Sequence, residues 1–474
     1  MNDHLERVLF EWEYADFFTV RNSLQSALIL GETGSGKTTS SFSLLAGHYL
    51  SNGYGILALI CKQDEISRWQ SLCKAYKREK DLVIFGPDSG EYFNFFEYML
   101  SSKSDGKGIA HNIADALKTV IKSGNQDGNE SDKAFWDSTL QQLLVNAVDL
   151  CLLTKNNKFE HVYQIVQSAP RNSTQLKSVE WRQSSKCFRL MEHVAQHLKE
   201  QPVSKENSKL ERRLRNIEDF FLGSWLHLSE KTRSIVEQMF FGFGDRFMRE
   251  PIYSLMNSTH TTISPDDTIE GKVIVLNLPY MIFDKTGQDI QTLWKHLWQK
   301  SMQKREIENT SRPCTIFIDE FQNFTTDNDP QFQSTCRSYR ACCVYATQNL
   351  PNFFLNAGSG ETGRTRFKAL AGNISTKFFH ANSDPETNEY AADLIGKDYL
   401  WTDSRGESFG EGFSFNSGQS ESLEYIVPPA TFTQLKTGGP ENDFLTEAII
   451  HRQGKPFIST GKNYKKVTLK QILL

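Results

Sequence analysis

Short apolar runs alternate with amphipathic stretches at both ends of the chain, and the alternation fades in the middle. Ser26-Ala27-Leu28-Ile29-Leu30 is an apolar run closed by Gly31, the pattern of a strand buried on both faces. A turn and a second strand follow in residues 53–61, and Leu82-Val83-Ile84-Phe85 reads as a third. Helical spacing separates them, over residues 37–51 and 66–78. From about residue 95 to 265 strand patterns give way to helical ones. Residues 134–153 place Phe135, Leu140, Leu143, Leu144, Ala147, Val148 and Cys151 on one face, and residues 217–241 do the same with Phe220, Phe221, Trp225, Leu228, Ile235, Val236, Met239 and Phe240. Residues 123–131 and 201–209 are polar, with Gly or Pro, and predict loops. Strand patterns resume at residues 272–278, 314–318, 342–346 and 374–379, with a helix over 286–307. The stretch 403–422 is rich in Gly and Ser and predicts a flexible loop or hairpin.

Strands alternating with helices predict an α/β fold with a mostly parallel sheet covered by helices. At 474 residues the chain exceeds a single core, so the division predicted is a discontinuous nucleotide-binding domain, residues 1–95 and 270–474, interrupted by an all-α insertion, residues 96–269.

Composition narrows the function by exclusion. The net charge is −4, so a protein that coats nucleic acid through a general basic excess is not indicated, and any DNA contact has to be local. The 8 cysteines form no CxxC pair, which argues against a zinc cluster and for buried, reduced thiols. The opening residues are polar, and the apolar stretch 143–153 is broken by Asn146 and Asp149, far short of the ~20 residues that span a bilayer. The expectation is a soluble, cytoplasmic protein without a membrane span.

Gly31-Glu32-Thr33-Gly34-Ser35-Gly36-Lys37-Thr38 fits GxxxxGK[ST] between a predicted strand and a predicted helix. Its glycines let backbone N–H groups surround a phosphate, and the following helix adds its positive end. Lys37 then supplies a point charge for the β- and γ-phosphates of ATP, and the Thr38 hydroxyl a ligand for Mg2+. Thr315-Ile316-Phe317-Ile318-Asp319-Glu320 is an apolar strand ending in two carboxylates. Asp319 is expected to hold the magnesium shell and Glu320 to polarise the attacking water, which selects hydrolysis. A strand ending in solvated acids is the plainer alternative. Gln348, at the end of the next strand, is placed to sense the γ-phosphate, unless it is only a polar strand terminus. Arg337 and Arg340 lie between the two strands, and a guanidinium there suits the charge of phosphoryl transfer; surface arginines are the alternative.

Together these motifs resemble the HerA/FtsK superfamily of hexameric DNA-pumping ATPases, and within it the TraG/TraD coupling proteins of conjugation. Leu59-Ile60-Cys61-Lys62-Gln63-Asp64-Glu65, residues 271–279, Tyr345-Ala346-Thr347-Gln348, Asn373-Ile374-Ser375-Thr376-Lys377, residues 382–396 and residues 432–439 carry the likeness, over roughly residues 20–95 and 270–460. The resemblance implies a RecA-like P-loop core with an inserted all-α domain, Mg2+ and ATP as cofactors, a hexameric homo-oligomer and DNA as partner. It also implies that Arg337, eleven positions before Gln348, reaches the neighbouring subunit's site, with Arg340, Arg364 and Arg366 as rivals. Coupling proteins usually begin with membrane helices and HerA proteins with a β-barrel; here the P-loop comes at Gly31. The expectation is therefore a soluble translocase of a mobile element or a phage-defence system, working beside an effector or nuclease. A nucleotide-gated scaffold that activates such a partner without pumping DNA is the rival, and a small-molecule kinase a weaker one. Residues 102–108 and 358–366 are candidate pore loops, or plain solvated ones. Trp136, Trp181 and Trp225 are candidates for base stacking, or core residues.

Overall fold

A computed structural model describes residues 3–13, 15–101, 109–123, 130–202, 204–358, 360–409 and 413–473. The chain forms two compact units. The first comprises Met1–Ala58, Ser67–Asp81 and Arg305–Leu474; the second comprises Leu59–Ile66 and Leu82–Lys304.

The first unit is built on strands β1 (Ala27–Leu30), β2 (Gly55–Leu59), β3 (Cys314–Ile318), β4 (Ala341–Thr347), β5 (Thr376–Phe379), β6 (Leu445–Arg452) and β7 (Tyr464–Lys470). Their order across the sheet is β7-β6-β5-β1-β4-β3-β2. β1 runs parallel to both β4 and β5, with Leu30 opposite Thr347 and Phe379, and β3 runs parallel to β4. β6 runs antiparallel to both β5 and β7, at one edge of the sheet. Every residue of β1, β3, β4 and β5 is buried, as continuous apolar runs require when both faces are covered. The α/β, mostly parallel, RecA-like architecture is thus present.

Several bounds differ from the pattern-based ones for local reasons. β1 starts at Ala27 because Ser26 adopts φ 62°, and its Oγ accepts from Cys343 N–H (3.0 Å) and Gln333 Nε2 (2.7 Å). β6 and β7 break their apolar residues with polar and charged ones (Thr446, Glu447, Lys465, Lys466, Thr468), so only the short run Ala448-Ile449-Ile450 marks them. The Gly- and Ser-rich stretch is part of a hairpin, Lys397–Phe409 paired with Phe413–Tyr425.

In the second unit every element from Phe95 to Met256 is helical, and Leu82–Phe85 pairs in parallel with Val273–Leu276. Two expectations are corrected here. Residues 201–209 are not all loop: a helix spans Lys205–Glu218, started by the Ser204 side chain, which accepts from Asn207 N–H (3.0 Å). The run 217–241 is not one helix: a wide turn over Asp219–Ser224 precedes a new helix, Glu230–Phe247, capped by Ser229. Trp225 is fully buried, whereas Trp136 and Trp181 are only partly so. All eight cysteines are buried and unbridged. Among the described residues no helix is long and apolar enough to cross a membrane.

A buried charge ties the start of the first unit to its β6–β7 connection. The Asp16 side chain has no exposure, and Lys465 has 5%. Asp16 accepts from Ile458 N–H (2.5 Å), Ser459 N–H (3.3 Å), the Ser459 hydroxyl and Lys465 Nζ (2.8 Å). Burial pushes its carboxyl up, but Lys465 and the other donors together outweigh it and hold the group below its ordinary value. A depressed folded-state pKa contributes stability above the unfolded value, near 3.8, that is lost as pH falls through the folded one. Asp16→Asn, which leaves Lys465 with the exposed Glu13 carboxylate and the Ser459 hydroxyl in place of a buried counter-charge, is expected to cost about 3 kcal/mol at neutral pH in urea unfolding. That difference should shrink below about pH 4; an equal loss at pH 3 would contradict the assignment.

Candidate nucleotide site

β1 ends at Leu30, and the chain turns through Gly31 to Thr38 before entering a helix whose first turn, Thr38–Phe42, is wide and whose remainder is Ser43–Ser51. The loop is pinned from below: Gly31 N–H donates to Thr347 O (3.3 Å) and Glu32 N–H to Ala381 O (3.0 Å). The Glu32 carboxylate accepts from Ser383 N–H (3.1 Å) and Oγ (2.7 Å). Thr33 and Gly34 are exposed at the tip, and Lys37 is buried at 6% exposure. Gly36 has φ 79°, and a Cβ there would lie 2.3 Å from Thr446 Cγ2 and 3.0 Å from Thr437 O. Only glycine fits both the backbone and the space.

The second half of the pocket comes from β3. Thr38 Oγ1 donates to Asp319 Oδ2 at 2.7 Å, joining groups 281 positions apart in sequence. Glu320 follows in a left-handed conformation, φ 53° and ψ 47°, and its N–H donates to Asp319 Oδ1 (2.9 Å). That sharp turn swings the Glu320 side chain away from the line of the strand; a non-glycine residue in this region is a local cost that the surrounding bonds sustain. Glu320 Oε1 lies 3.7 Å from Lys37 Nζ and accepts from Gln348 Nε2 (3.0 Å). Glu320 Oε2 accepts from Gln322 Nε2 (2.8 Å), and Gln322 Oε1 accepts from Thr347 Oγ1 (2.7 Å).

Lys37, Thr38, Asp319, Glu320 and Gln348 therefore meet at one end of the parallel strands. Gln348 lies one residue beyond β4 rather than inside it. Gln322 was not singled out from the sequence; its nearness to Asp319 and Glu320 was the only signal. His380 is a second such residue. It accepts from or donates to Ser41 Oγ at 2.7 Å, and burial, then the Lys37 charge, push it down to about 3, so the ring is neutral.

Arg337 is not part of this pocket. It is exposed, on the turn Cys336–Tyr339 that precedes β4, at the opposite end of that strand from Gln348. Its rivals are engaged within the chain. Arg340 is buried and donates to Asn309 O (3.4 Å). Arg364 pairs with Glu386, and Arg366 with Asp327. The candidate pore segment 358–366 is not all loop, since a helix spans Glu361–Ala371. The other candidate, 102–108, lies outside the described residues.

The donor set suits a polyphosphate with a hard divalent cation. Ser35 Oγ is buried with no hydrogen-bond partner among the described residues, inside a loop whose lysine and hydroxyl face two carboxylates. An unpaired buried hydroxyl is costly unless something else accepts from it, and a phosphate oxygen would.

Residues 313–437 match the family described as the TraM recognition site of TraD and TraG. A comparison with curated proteins gives no match. Among solved structures, the chain is similar to the bacterial conjugative coupling protein TrwBΔN70 in its unbound monoclinic form, with TM-score 0.60 and 14% identity over 98% of this chain and 89% of that one. TrwB in complex with the non-hydrolysable GTP analogue GDPNP gives TM-score 0.57 and 14% identity over 98% and 91%. TrwB with ADP and Mg2+ gives TM-score 0.58 and 14% identity over 97% and 90%.

The geometry of Gly36 makes one outcome definite. Gly36→Ala adds a clash to an unfavourable φ and is expected to lower thermal stability by about 2 kcal/mol or more and to abolish ADP binding. Unchanged melting with unchanged ADP affinity would contradict the described packing.

Residues 313–437 thus match the TraM recognition site family of TraD and TraG, and over nearly its whole length the chain shares the fold of the conjugative coupling protein TrwB.

Proposed function

We propose that the chain is a Mg2+-dependent ATPase that works as a ring, six copies being the expected number, and moves DNA through it. The observation that carries the proposal is the convergence of Lys37 and Thr38 with Asp319, Glu320 and Gln348. TrwB, whose fold the chain shares, forms complexes with the GTP analogue GDPNP and with ADP and Mg2+, which supports a nucleotide site here.

Bound Mg2+ would neutralise charge on the β- and γ-phosphate oxygens. Thr38 Oγ1 and Asp319 would hold it, one directly and the other through its water shell. Lys37, now balanced against Glu320 at 3.7 Å, would turn to the γ-phosphate when that group enters. Glu320 would then take the proton of an attacking water. Gln322 and Gln348 keep its two oxygens aimed, and Gln348 links the pocket to the chain beyond β4 through Asn382 Nδ2, which donates to its carbonyl (2.8 Å). Water attack at the γ-phosphorus breaks the bond to the bridging oxygen and releases ADP and phosphate.

Arg337 is exposed and far from its own pocket, which fits action on the site of an adjoining copy. With residues 96–269 as a helical insertion, the ring would grip DNA by its backbone, in a sequence-tolerant and salt-sensitive way. The mobile-element or phage-defence setting and an effector or nuclease partner belong to this proposal.

DNA-dependent turnover tests it. The native chain should hydrolyse ATP faster with DNA; Lys37→Ala and Glu320→Gln should each lose 10²-fold or more of turnover, with Glu320→Gln still binding ATP. Assembly and ATP binding with no response to DNA would instead identify a nucleotide-gated scaffold.

Arg337→Ala is expected to leave ADP affinity within about twofold while cutting turnover by 10²-fold or more. Mixing it with Lys37→Ala should restore part of the activity, since each supplies what the other lacks. A mixture no more active than its parts would exclude action between copies.

A further inference from the structure

Lys397–Phe409 and Phe413–Tyr425 form a two-stranded sheet of their own; among the described residues they pair with no further strand. Such a ribbon is marginal in water by itself and leaves both edges open. Its register sets Tyr399 opposite Leu423 and Trp401 opposite Glu421, and alternation puts these four side chains on one face. Tyr399 is 61% exposed, Leu423 54% and Trp401 66%. Large apolar side chains exposed singly are ordinary, but three adjoining ones on one face mark a contact surface. Charge narrows what can cover it. Residues 397–425 hold six acidic side chains against Lys397 and Arg405. Nucleic-acid phosphates and anionic lipid heads would be repelled, so the fitting partner is a protein surface both apolar and basic.

The chain itself carries such a surface. The β6–β7 connection exposes Ile458 at 72%, next to Phe457, over whose ring the Arg452 guanidinium lies at 5.1 Å. Lys455, half-buried, is on the same connection. Burial, and with it the nearby Arg452, Arg21 and Arg337, hold its amine below the ordinary value, with Glu6 opposing. Glu6 already answers Arg21 at 2.5 Å, whereas Arg337, Arg452 and Lys455 have no carboxylate at ion-pair distance among the described residues. Arg452 lies opposite Thr376, the first residue of β5, so it stands with Arg337 at the strand ends away from Gln348. The hairpin has its root on the other side. The helix Pro385–Ile395 starts at the nucleotide loop, where Ser383 Oγ donates to Glu32 (2.7 Å) and Asp384 accepts from Thr387 N–H (2.9 Å). At its far end Ile426 N–H donates to Gly396 O (3.1 Å) and Tyr425 Oη to Asp393 (2.9 Å), which fixes the base of the hairpin. A neighbour that brings Arg337 to this pocket brings Lys455 and Ile458 with it, towards the hairpin.

We propose that the acidic, aromatic hairpin of one copy docks on the Arg337, Lys455 and Ile458 face of the next. The inference rests on the ring reading above and adds the surfaces that join the ring. A joint made of two different surfaces passes from copy to copy, as closure of a ring requires. It also ties assembly to the nucleotide. Gln348 and Glu32 both reach the segment that opens the hairpin's helix, through Asn382 and Ser383.

Sedimentation of the full chain with Mg2+ and a slowly hydrolysed ATP analogue tests the joint, with ADP affinity and melting temperature as checks on folding. Trp401→Asp removes the apolar centre of the hairpin face, and Ile458→Asp spoils the receiving face. Each should need about tenfold or more higher concentration to assemble while holding ADP within about twofold of native. Leu423→Ser, a milder change beside Trp401, should act in the same direction by about threefold, and Trp401→Phe should assemble as the native chain does. Mixed together, Trp401→Asp and Ile458→Asp should form dimers and nothing larger at a concentration where neither assembles alone, since each keeps the surface the other lacks. Native-like assembly of Trp401→Asp and Leu423→Ser would overturn the docking proposal and leave the ring reading standing. A defect confined to the hairpin variants would overturn it too, because the hairpin would then meet a different surface. A native chain that stays monomeric would overturn the ring reading, and the joint with it.

Discussion

The bond from Thr38 to Asp319, with Glu320 brought against Lys37, is the constraint around which the first unit is organised. A lysine and two carboxylates removed from water are tolerable only when they answer one another. Each therefore fixes where the other's strand must end. β1 and β3 are not neighbours; β4 lies between them, and its register with both sets the height of the two strand ends. The pocket is a consequence of three strands stopping at one level.

Glu320 shows how the local cost of that arrangement is met. Its left-handed backbone is unfavourable for a residue with a side chain, yet three amide or amine groups face the carboxylate it aims. Gln322 and Gln348 sit on different segments, and Thr347 holds Gln322 in turn. An amide donates without carrying charge, so these contacts orient the Glu320 carboxylate through geometry alone.

The far end of the chain matters as much as the P-loop. β6 and β7 close the sheet in antiparallel fashion and carry Thr446 and the approach to Gln471 onto the back of Gly36 and Thr39. Lys465 of the same β7 anchors Asp16 at the start of the chain. The nucleotide loop is therefore supported by residues that neighbour it only after folding. Arg337 stands exposed on the turn that opens β4, at the other end of that strand from Gln348.

The glycine-rich loop, the acidic pair, the glutamine after β4 and the buried strands were legible in the sequence. They depend on short patterns: apolar runs of four or five residues, positions that demand glycine, and carboxylates at a strand end. The antiparallel edge was not legible, because polar and charged residues interrupt its strands and leave only the three-residue apolar run Ala448-Ile449-Ile450. Nor was the split of the 217–241 pattern, since helical spacing continues across a turn that Ser229 restarts. Gln322, His380 and Gln471 take their importance only from what lies across from them. Residue spacing could name the chemistry of the pocket, because each motif is local. Which strands stand side by side, and which distant side chains brace them, was decided by tertiary packing, because hydrogen bonds between segments hundreds of positions apart leave no trace in either segment alone.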